Sequence, residues 1–232
     1  ADAAVMVLDA AKGIEPQTLK LFEVCKARQM PLLTFINKWD RPGLEALELL
    51  DEIDDKIGVT AAPVTWPVGI AGDFRGVIDR ATGRFIRFTR TARGATEAPE
   101  EVVDAERAEA EEGAVWTTAV EESELLGTMG LDFDRELFLG GELSPTFFGS
   151  ALTNFGVRLL LDAVIDLAPP AGPRPDRDGH PRPLDAPFSG FVFKVQANMD
   201  KSHRDRIAFL RVCSGRFQRG MVFTHADTGK PF

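Results

Sequence analysis

The stretch Pro31-Leu-Leu-Thr-Phe-Ile-Asn-Lys-Trp-Asp40 indicates the fold class, because a short apolar run leads directly into a polar loop. The run over residues 31–36 has the length and content of a buried strand. Loops that leave the carboxyl ends of parallel strands are where α/β sheets usually bind ligands. The sequence therefore predicts an α/β fold with a ligand-binding loop at residues 37–40.

The side chains of this loop match guanine. Asp40 can accept hydrogen bonds from the adjacent guanine donors N1-H and N2-H2, whereas adenine would leave the carboxylate unpaired, at a cost of about 1–3 kcal/mol or more. Asn37 can clamp the loop and reach N7, and the stem of Lys38 can lie along the base. We predict guanine recognition by these three residues. The alternative is a polar turn with Asp40 near a helix start.

A second loop, Ser150-Ala151-Leu152, follows the strand-like run at residues 144–148. Backbone N–H groups of Ser150 and Ala151 are expected to donate to guanine O6, and the Ser150 hydroxyl is expected to brace Asp40. The tripeptide alone is weak evidence. It gains weight because both loops would leave the carboxyl ends of parallel strands that can be neighbours, about 4.8 Å apart.

Length and composition favour a soluble cytoplasmic protein. The chain has 232 residues, 44% of them hydrophobic and 27% charged, and no window approaches a membrane-spanning run. It opens on Ala1 with neither an initiator Met nor a signal segment, which suggests a piece of a longer protein. Cys25 and Cys213 are expected to be buried thiols in a reducing compartment. Three scattered histidines give no metal-site signal.

The net charge of −9 is unevenly distributed. Residues 97–124 contain eleven acids against one base, and the run at residues 100–112 predicts an exposed, solvated helix, with contact to a protein partner as the alternative. Residues 190–220 contain seven Lys and Arg against two Asp. These basic side chains could bind phosphate groups, or they could be ordinary exposed residues of the strands.

Periodicity predicts two domains joined by a linker. Residues 1–168 read as strands alternating with helices, with a hairpin and the acidic helical stretch inserted at about 70–142. One helix is expected to begin at Pro16, with Leu19, Phe22 and Val24 on its apolar face, and a second at about 44–57, with Leu47, Leu50 and Ile53 inward. An amphipathic helix is expected at residues 155–167. Residues 168–187 hold seven of the fifteen prolines, so 169–187 is interpreted as an extended linker. Residues 188–232, with strands at 188–196, 206–213 and 221–224, are interpreted as the start of an antiparallel barrel.

Phosphate-binding motifs are absent from this sequence. No G-x-x-x-x-G-K-[ST] occurs, so nothing here would cradle the β and γ phosphates or place Mg²⁺. Asp73-Phe-Arg-Gly76 and Asp176-Arg-Asp-Gly179 fit D-x-x-G but follow no strand. We expect no catalytic residue and no metal ligand within these residues.

The chain resembles bacterial peptide-chain release factor three, a family of translational GTPases related to elongation factor G. Segments shared with both families are 7–13, 35–41 and 149–152. More specific to the release factors are 63–69, 133–139, 154–157, 191–200 and 203–212. Trp39 stands where Leu is usual, at a position interpreted as a spacer. The resemblance implies a partial P-loop GTPase domain followed by the start of a β-barrel, and three adjacent parallel strands with residues 3–8 at an edge.

The resemblance also implies a function for a longer parent. That parent would bind GTP or GDP with Mg²⁺, hydrolyse GTP, and help recycle class I release factors from the ribosome, with no membrane partner. Asn37, Lys38, Asp40, Ser150, Ala151 and Leu152 would recognise the base, while the phosphate loop, switches and Mg²⁺ ligands would lie upstream of Ala1. The fragment alone is expected to be inactive. Two alternatives stay open: an elongation-factor-G-like translocase or ribosome-protection GTPase, and a non-catalytic ribosome- or RNA-binding module.

Overall fold

The computed structural model describes residues 1–89, 99–197 and 206–231, and it divides into two compact units, Ala1–Pro170 and Ala171–Phe232. In chain order the first unit contains β1 (Ala4–Asp9), α1 (Pro16–Ala27), β2 (Leu32–Asn37), α2 (Ala46–Ile57), β3 (Thr60–Pro63), β4 (Thr65–Val68), β5 (Gly76–Asp79), β6 (Arg84–Phe88), β7 (Glu100–Val103), α3 (Ala105–Glu112), α4 (Ala114–Thr128), α5 (Arg135–Gly140), β8 (Leu143–Phe148) and α6 (Val157–Leu167). The second contains β9 (Ser189–Ala197) and β10 (Arg206–Ser214).

The main sheet is parallel and has the order β1-β2-β8-β3. The central strands β2 and β8 are almost wholly buried, which explains why their sequences are continuous apolar runs rather than alternating ones. Their buried hydroxyls have partners: those of Thr34 and Ser144 lie 2.7 Å apart, and that of Thr146 donates to the Ser144 carbonyl at 3.0 Å. The predicted neighbouring strands are therefore confirmed, and β3 is a fourth strand that the sequence interpretation did not include.

Strand β1 forms one edge of this sheet, as the resemblance implied. Among the described residues it pairs with β2 alone, and its Val7 side chain is 55% exposed. An apolar edge of this kind is open to pairing with another strand.

The helices form where expected, but their inward faces differ in part from the prediction. In α1 the buried residue is Phe22, whereas Val24 is exposed. In α2, Leu50 and Ile53 are buried as predicted, whereas Leu47 lies at the surface. On each helix one residue was wrongly predicted to face inward, because only a narrow stripe of a surface helix is buried.

The segment between β3 and β8 adds an antiparallel sheet of order β4-β5-β6-β7 and three helices. The predicted hairpin is confirmed as β5 and β6. The predicted helix from residue 100 is wrong at its start, because Glu100–Val103 is strand β7, paired with β6 in the register Phe85↔Val103. Val103 is buried there, and α3 begins only after Asp104, whose carboxylate accepts the Arg107 N–H at 2.9 Å.

The acidic helix α3 is partly neutralised by arginines. The Arg87 guanidinium on β6 donates to Glu111 at 2.5 Å and to Glu112 at 2.9 Å. Arg107 donates to Glu111 at 2.7 Å. These hydrogen bonds raise the pKa of Arg87 and lower the pKa of Glu111. Part of the acidic run therefore holds α3 against the added sheet rather than facing solvent alone.

The second unit is built on the antiparallel hairpin of β9 and β10. Residues 221–224, predicted as a strand, form only an isolated bridge between Thr224 and Pro231. Residues 171–187 of the proline-rich segment belong to this unit: Arg182 donates to the Ser214 hydroxyl at 2.9 Å, and Gly215 N–H donates to the Leu184 carbonyl at 2.8 Å. Cys213 is a half-buried free thiol, as is Cys25 in the first unit.

No helix in the described part of the chain combines the length and the apolar content that crossing a membrane requires.

Candidate guanine-binding site

The sheet brings the two predicted loops into direct contact. They follow β2 and β8, which are neighbours in the register Ile36↔Phe148. The Trp39 N–H donates to the Gly149 carbonyl at 3.0 Å, so backbone hydrogen bonding continues past the ends of both strands. Asn37 adds a side-chain link, because its Oδ1 accepts the Ala151 N–H at 2.9 Å and the Lys38 N–H at 2.8 Å. Asn37 therefore links the two loops, whereas the sequence predicted only that it clamps its own loop and reaches N7 of the base.

Asp40 carries an acceptor atom that the protein itself leaves unsatisfied. Its side chain is only 10% exposed, and Oδ1 is buried without a hydrogen-bond partner among the described residues. The other oxygen, Oδ2, lies 3.9 Å from the Arg41 guanidinium. A buried carboxylate oxygen left without a donor costs about 1–3 kcal/mol or more. The arrangement therefore suits a ligand that brings its own N–H donors, as guanine does.

Ser150 presents a second unsatisfied atom in the adjoining loop. The residue is fully buried, and its hydroxyl has no hydrogen-bond partner among the described residues, so the predicted brace to Asp40 is not formed. The predicted use of the N–H groups also needs correction. Ser150 N–H donates to the Phe155 carbonyl at 2.9 Å, and Ala151 N–H is taken by Asn37. The hydroxyl, rather than these two amides, is the open polar group of this loop.

Lys38 adopts an unusual backbone conformation and forms an ion pair that the sequence interpretation missed. Its φ is +68°, in the left-handed region that few residues other than glycine adopt. Its Nζ lies 2.6 Å from Oδ2 of Asp9, at the end of β1. The Lys38 ammonium, with a smaller contribution from the Ala11 N–H, holds the pKa of Asp9 below its usual value. Asp9 could have been suspected from its position, because it ends the strand beside β2.

Trp39 is a core residue, a packing role that its interpretation as a spacer did not include, and its lack of effect on guanine selectivity stays a prediction. Its side chain is 1% exposed and meets the Phe148 ring edge-on at 4.9 Å between centroids. Its Nε1 donates a long hydrogen bond of 3.4 Å to the Gly69 carbonyl, and its own carbonyl accepts the Gly72 N–H at 2.9 Å. The bulky ring thus ties the predicted guanine loop to the segment that follows β4.

Leu152, the last residue of the second loop, is exposed on the surface. The loop turns back through Asn154, which has a φ of +60°, and ends at the buried Phe155. All six predicted base-recognition residues therefore lie on two touching loops at the carboxyl edge of the sheet, and their roles in binding stay predictions.

Comparison with known proteins agrees with this geometry. Residues 1–170 match the family model of the elongation factor Tu GTP binding domain. The chain belongs to this GTP-binding domain family. Residues 187–232 match a second family model, that of elongation factor G domain 2. The predicted fold class, a GTPase-type parallel sheet followed by antiparallel strands, is confirmed.

Individual relatives show which group of proteins in this family the chain resembles. It is 50% identical to peptide chain release factor 3 of Microcystis aeruginosa, over 99% of this chain and 43% of that protein. It is 51% identical to peptide chain release factor 3 of Gloeobacter violaceus, over 99% of this chain and 44% of that protein. The resemblance to the release factor family is confirmed. The chain spans less than half the length of these relatives.

Proposed function

We propose that this chain is the central, base-recognising part of a GTP-binding translation termination factor whose phosphate-binding residues belong to a longer polypeptide. One observation carries the proposal: the buried, unpartnered Oδ1 of Asp40 lies where two loops of a GTP-binding domain meet. Relatives of similar sequence that are named release factors, and are more than twice as long, support the rest.

In this function Asp40 selects guanine. Its carboxylate accepts from the two adjacent donors of the base, Asn37 keeps the two loops together, and Lys38 lies against the base with its aliphatic stem. Ser150 contributes its open hydroxyl, and Ala151 and Leu152 complete the loop. GTP and GDP are the ligands, and Mg²⁺ is held by residues outside this sequence, since no phosphate-loop motif occurs in it.

The parent protein, by this proposal, acts in the cytoplasm on the ribosome and promotes recycling of class I release factors through GTP binding and hydrolysis. The name of the relatives supports termination. The match of residues 187–232 to elongation factor G domain 2 favours one alternative, an elongation-factor-G-like GTPase. The domain count of the full gene separates the two: three domains are expected for a release factor, and five would favour the alternative.

The base-recognition role is tested by Asp40→Asn in the full-length protein. An amide can donate to the C2 oxo group of xanthine but accepts poorly from guanine. We expect GTP affinity to fall about 100-fold, because the amide keeps one acceptor oxygen and loses one hydrogen bond to a charged group, and affinity for xanthosine triphosphate to rise. Asp51→Asn, the same change at an exposed site on α2, is the matched control and should alter neither affinity. Unchanged selectivity in Asp40→Asn would refute the role.

The isolated chain gives a second test. Without phosphate-binding residues it should show weak guanine binding and negligible GTP hydrolysis. Turnover by the pure chain that Asp40→Ala abolishes would overturn the assignment of hydrolysis to residues outside this sequence.

A further inference from the structure

Asp9 lies beside the predicted guanine loop although it belongs to a different strand. It is the last residue of β1 and pairs in register with Asn37, the last residue of β2. Its two oxygens have separate partners: Oδ2 lies 2.6 Å from Lys38 Nζ, and Oδ1 accepts the Ala11 N–H at 2.9 Å. The carboxylate is 14% exposed, whereas the Lys38 side chain is 46% exposed. The fixed partner of this pair is therefore the acid.

The loop that carries Asp9 is held firmly. Ala10 N–H donates to the Asn37 carbonyl at 2.9 Å, and the Ala10 carbonyl accepts the Leu44 N–H at 2.9 Å. Gly43 packs so closely that an added Cβ would lie 2.7 Å from the Ala10 carbonyl oxygen. Gly13 N–H closes a tight turn onto the Asp9 carbonyl at 2.8 Å. Backbone hydrogen bonds on both sides therefore fix the position of the Asp9 carboxylate.

Lys38 needs such a partner. A lysine side chain that is fixed on binding gives up rotamer entropy, which weakens any contact it makes with a ligand. The left-handed backbone of Lys38 adds a conformational cost. An ion pair formed before the ligand arrives meets part of the entropic cost in advance.

We propose that Asp9 is a positioning residue of the guanine site, which holds the Lys38 ammonium so that the lysine stem is already in place when guanine binds. This inference rests on the proposed function. It gives the loop after β1 a role in base recognition alongside the loops after β2 and β8. Asp9 acts through Lys38 and need not touch the base itself.

The effect of the Asp9–Lys38 ion pair can be measured separately from the effect of the turn at Asp9. Asp9→Asn keeps an Oδ1 acceptor for Ala11 N–H and removes only the charge that binds Lys38. Lys38→Met keeps an apolar stem and removes the ammonium. A merely structural Asp9 would show the same loss with either residue at position 38, whereas a positioning role requires the two effects to overlap.

The experiment measures dissociation constants of a fluorescent GDP analogue for the full-length protein, as wild type, Asp9→Asn, Lys38→Met and the double variant. We expect Asp9→Asn to weaken binding about fivefold in the wild-type background and less than about twofold in the Lys38→Met background. Glu15→Gln removes a carboxylate from the exposed Lys12 pair and is the matched control, with binding unchanged.

Two results overturn the inference while the proposed function stands: wild-type GDP affinity in Asp9→Asn, or an equal loss in both backgrounds. A wild-type protein that does not bind GDP at all would instead refute the proposed function.

Discussion

Replacing Gly149 with alanine tests whether the two loops meet as closely as the structure shows. Gly149 follows β8, donates its N–H to the Ile36 carbonyl at 3.0 Å and accepts the Trp39 N–H at 3.0 Å. An added Cβ would lie 2.3 Å from the Phe155 carbonyl oxygen and 2.7 Å from the Phe35 ring. Ordinary contacts between such atoms are about 3.5 Å or longer. The methyl group can therefore fit only if backbone or core atoms move.

The size of the effect follows from what must move. Phe35 lies in the core of the central strand β2, so its ring has little room, and overpacking of this kind costs about 1–3 kcal/mol. Displacing the Phe155 carbonyl stretches its 2.9 Å hydrogen bond from Ser150 N–H, which adds about 0.5–1.5 kcal/mol. We expect Gly149→Ala to lower the free energy of unfolding by about 2–4 kcal/mol and to weaken GDP binding, because Ser150 and Gly149 move together.

Urea denaturation followed by tryptophan emission measures the loss, since all three tryptophans lie buried in the first unit. Gly127→Ala is the control. It lies within α4, where an added Cβ would have its nearest neighbour 3.8 Å away on Arg80, and it should gain up to about 1 kcal/mol from helix propensity. If Gly149→Ala unfolds within about 0.5 kcal/mol of wild type and binds GDP equally well, the close approach of the loops is wrong.

Three further predictions concern neighbouring features. Trp39→Ala and Trp116→Ala should each cost about 3–5 kcal/mol of unfolding free energy, but only Trp39→Ala should also weaken GDP binding, as fluorescence titration will show. Because Lys38 holds the pKa of Asp9 below its usual value, wild type should be more stable than Asp9→Asn at neutral pH, and urea curves should show this difference disappearing as the pH falls below about 3.9 through the folded pKa. Arg80→Met should lower the urea midpoint by removing buried hydrogen bonds to the Pro63 and Leu131 carbonyls, while Arg84→Ala, at an exposed site, should leave it unchanged.

Clear apolar runs in the sequence predicted the main sheet and the contact between the loops that follow β2 and β8. β2 and β8 are continuous apolar runs buried on both faces, so their type and adjacency follow from sequence. Strand β3 is only four residues long, and its Ala-Ala-Pro sequence has little strand propensity. It forms because β8 offers a free edge in register with it, which is a tertiary cause that local sequence does not display.

The wrong helix at residue 100 has a similar explanation. Glu100–Val103 lies in a run whose composition favours an exposed helix, yet the segment pairs with β6. Arg87 on that strand faces Glu101 at 3.6 Å, and Val103 fills the core opposite Phe85. Cross-strand charge and burial therefore outweigh helix propensity. Some of the carboxylates that the sequence predicted to face solvent instead pair with arginines distant in sequence.

Buried side-chain atoms without a hydrogen-bond partner mark the residues that we propose to bind the ligand. In the described part of the chain, four buried side-chain atoms lack a hydrogen-bond partner: Asp40 Oδ1, Ser150 Oγ, Arg80 Nε and Arg87 Nε. The two arginines use their other nitrogens in several hydrogen bonds each, so little is lost there. Asp40 and Ser150 have no such compensation, and they lie on adjoining loops.

Trp39 explains how the loop can hold an unpaired acceptor. Its buried ring and backbone hydrogen bonds fix the loop on both sides, so Asp40 does not relax toward a protein donor. Buried polar groups without partners are rare, and stable folds keep them mainly where a ligand supplies the missing bond. Burial of Trp39 therefore offsets the cost of the unpaired Asp40 oxygen, which the proposed function assigns to guanine.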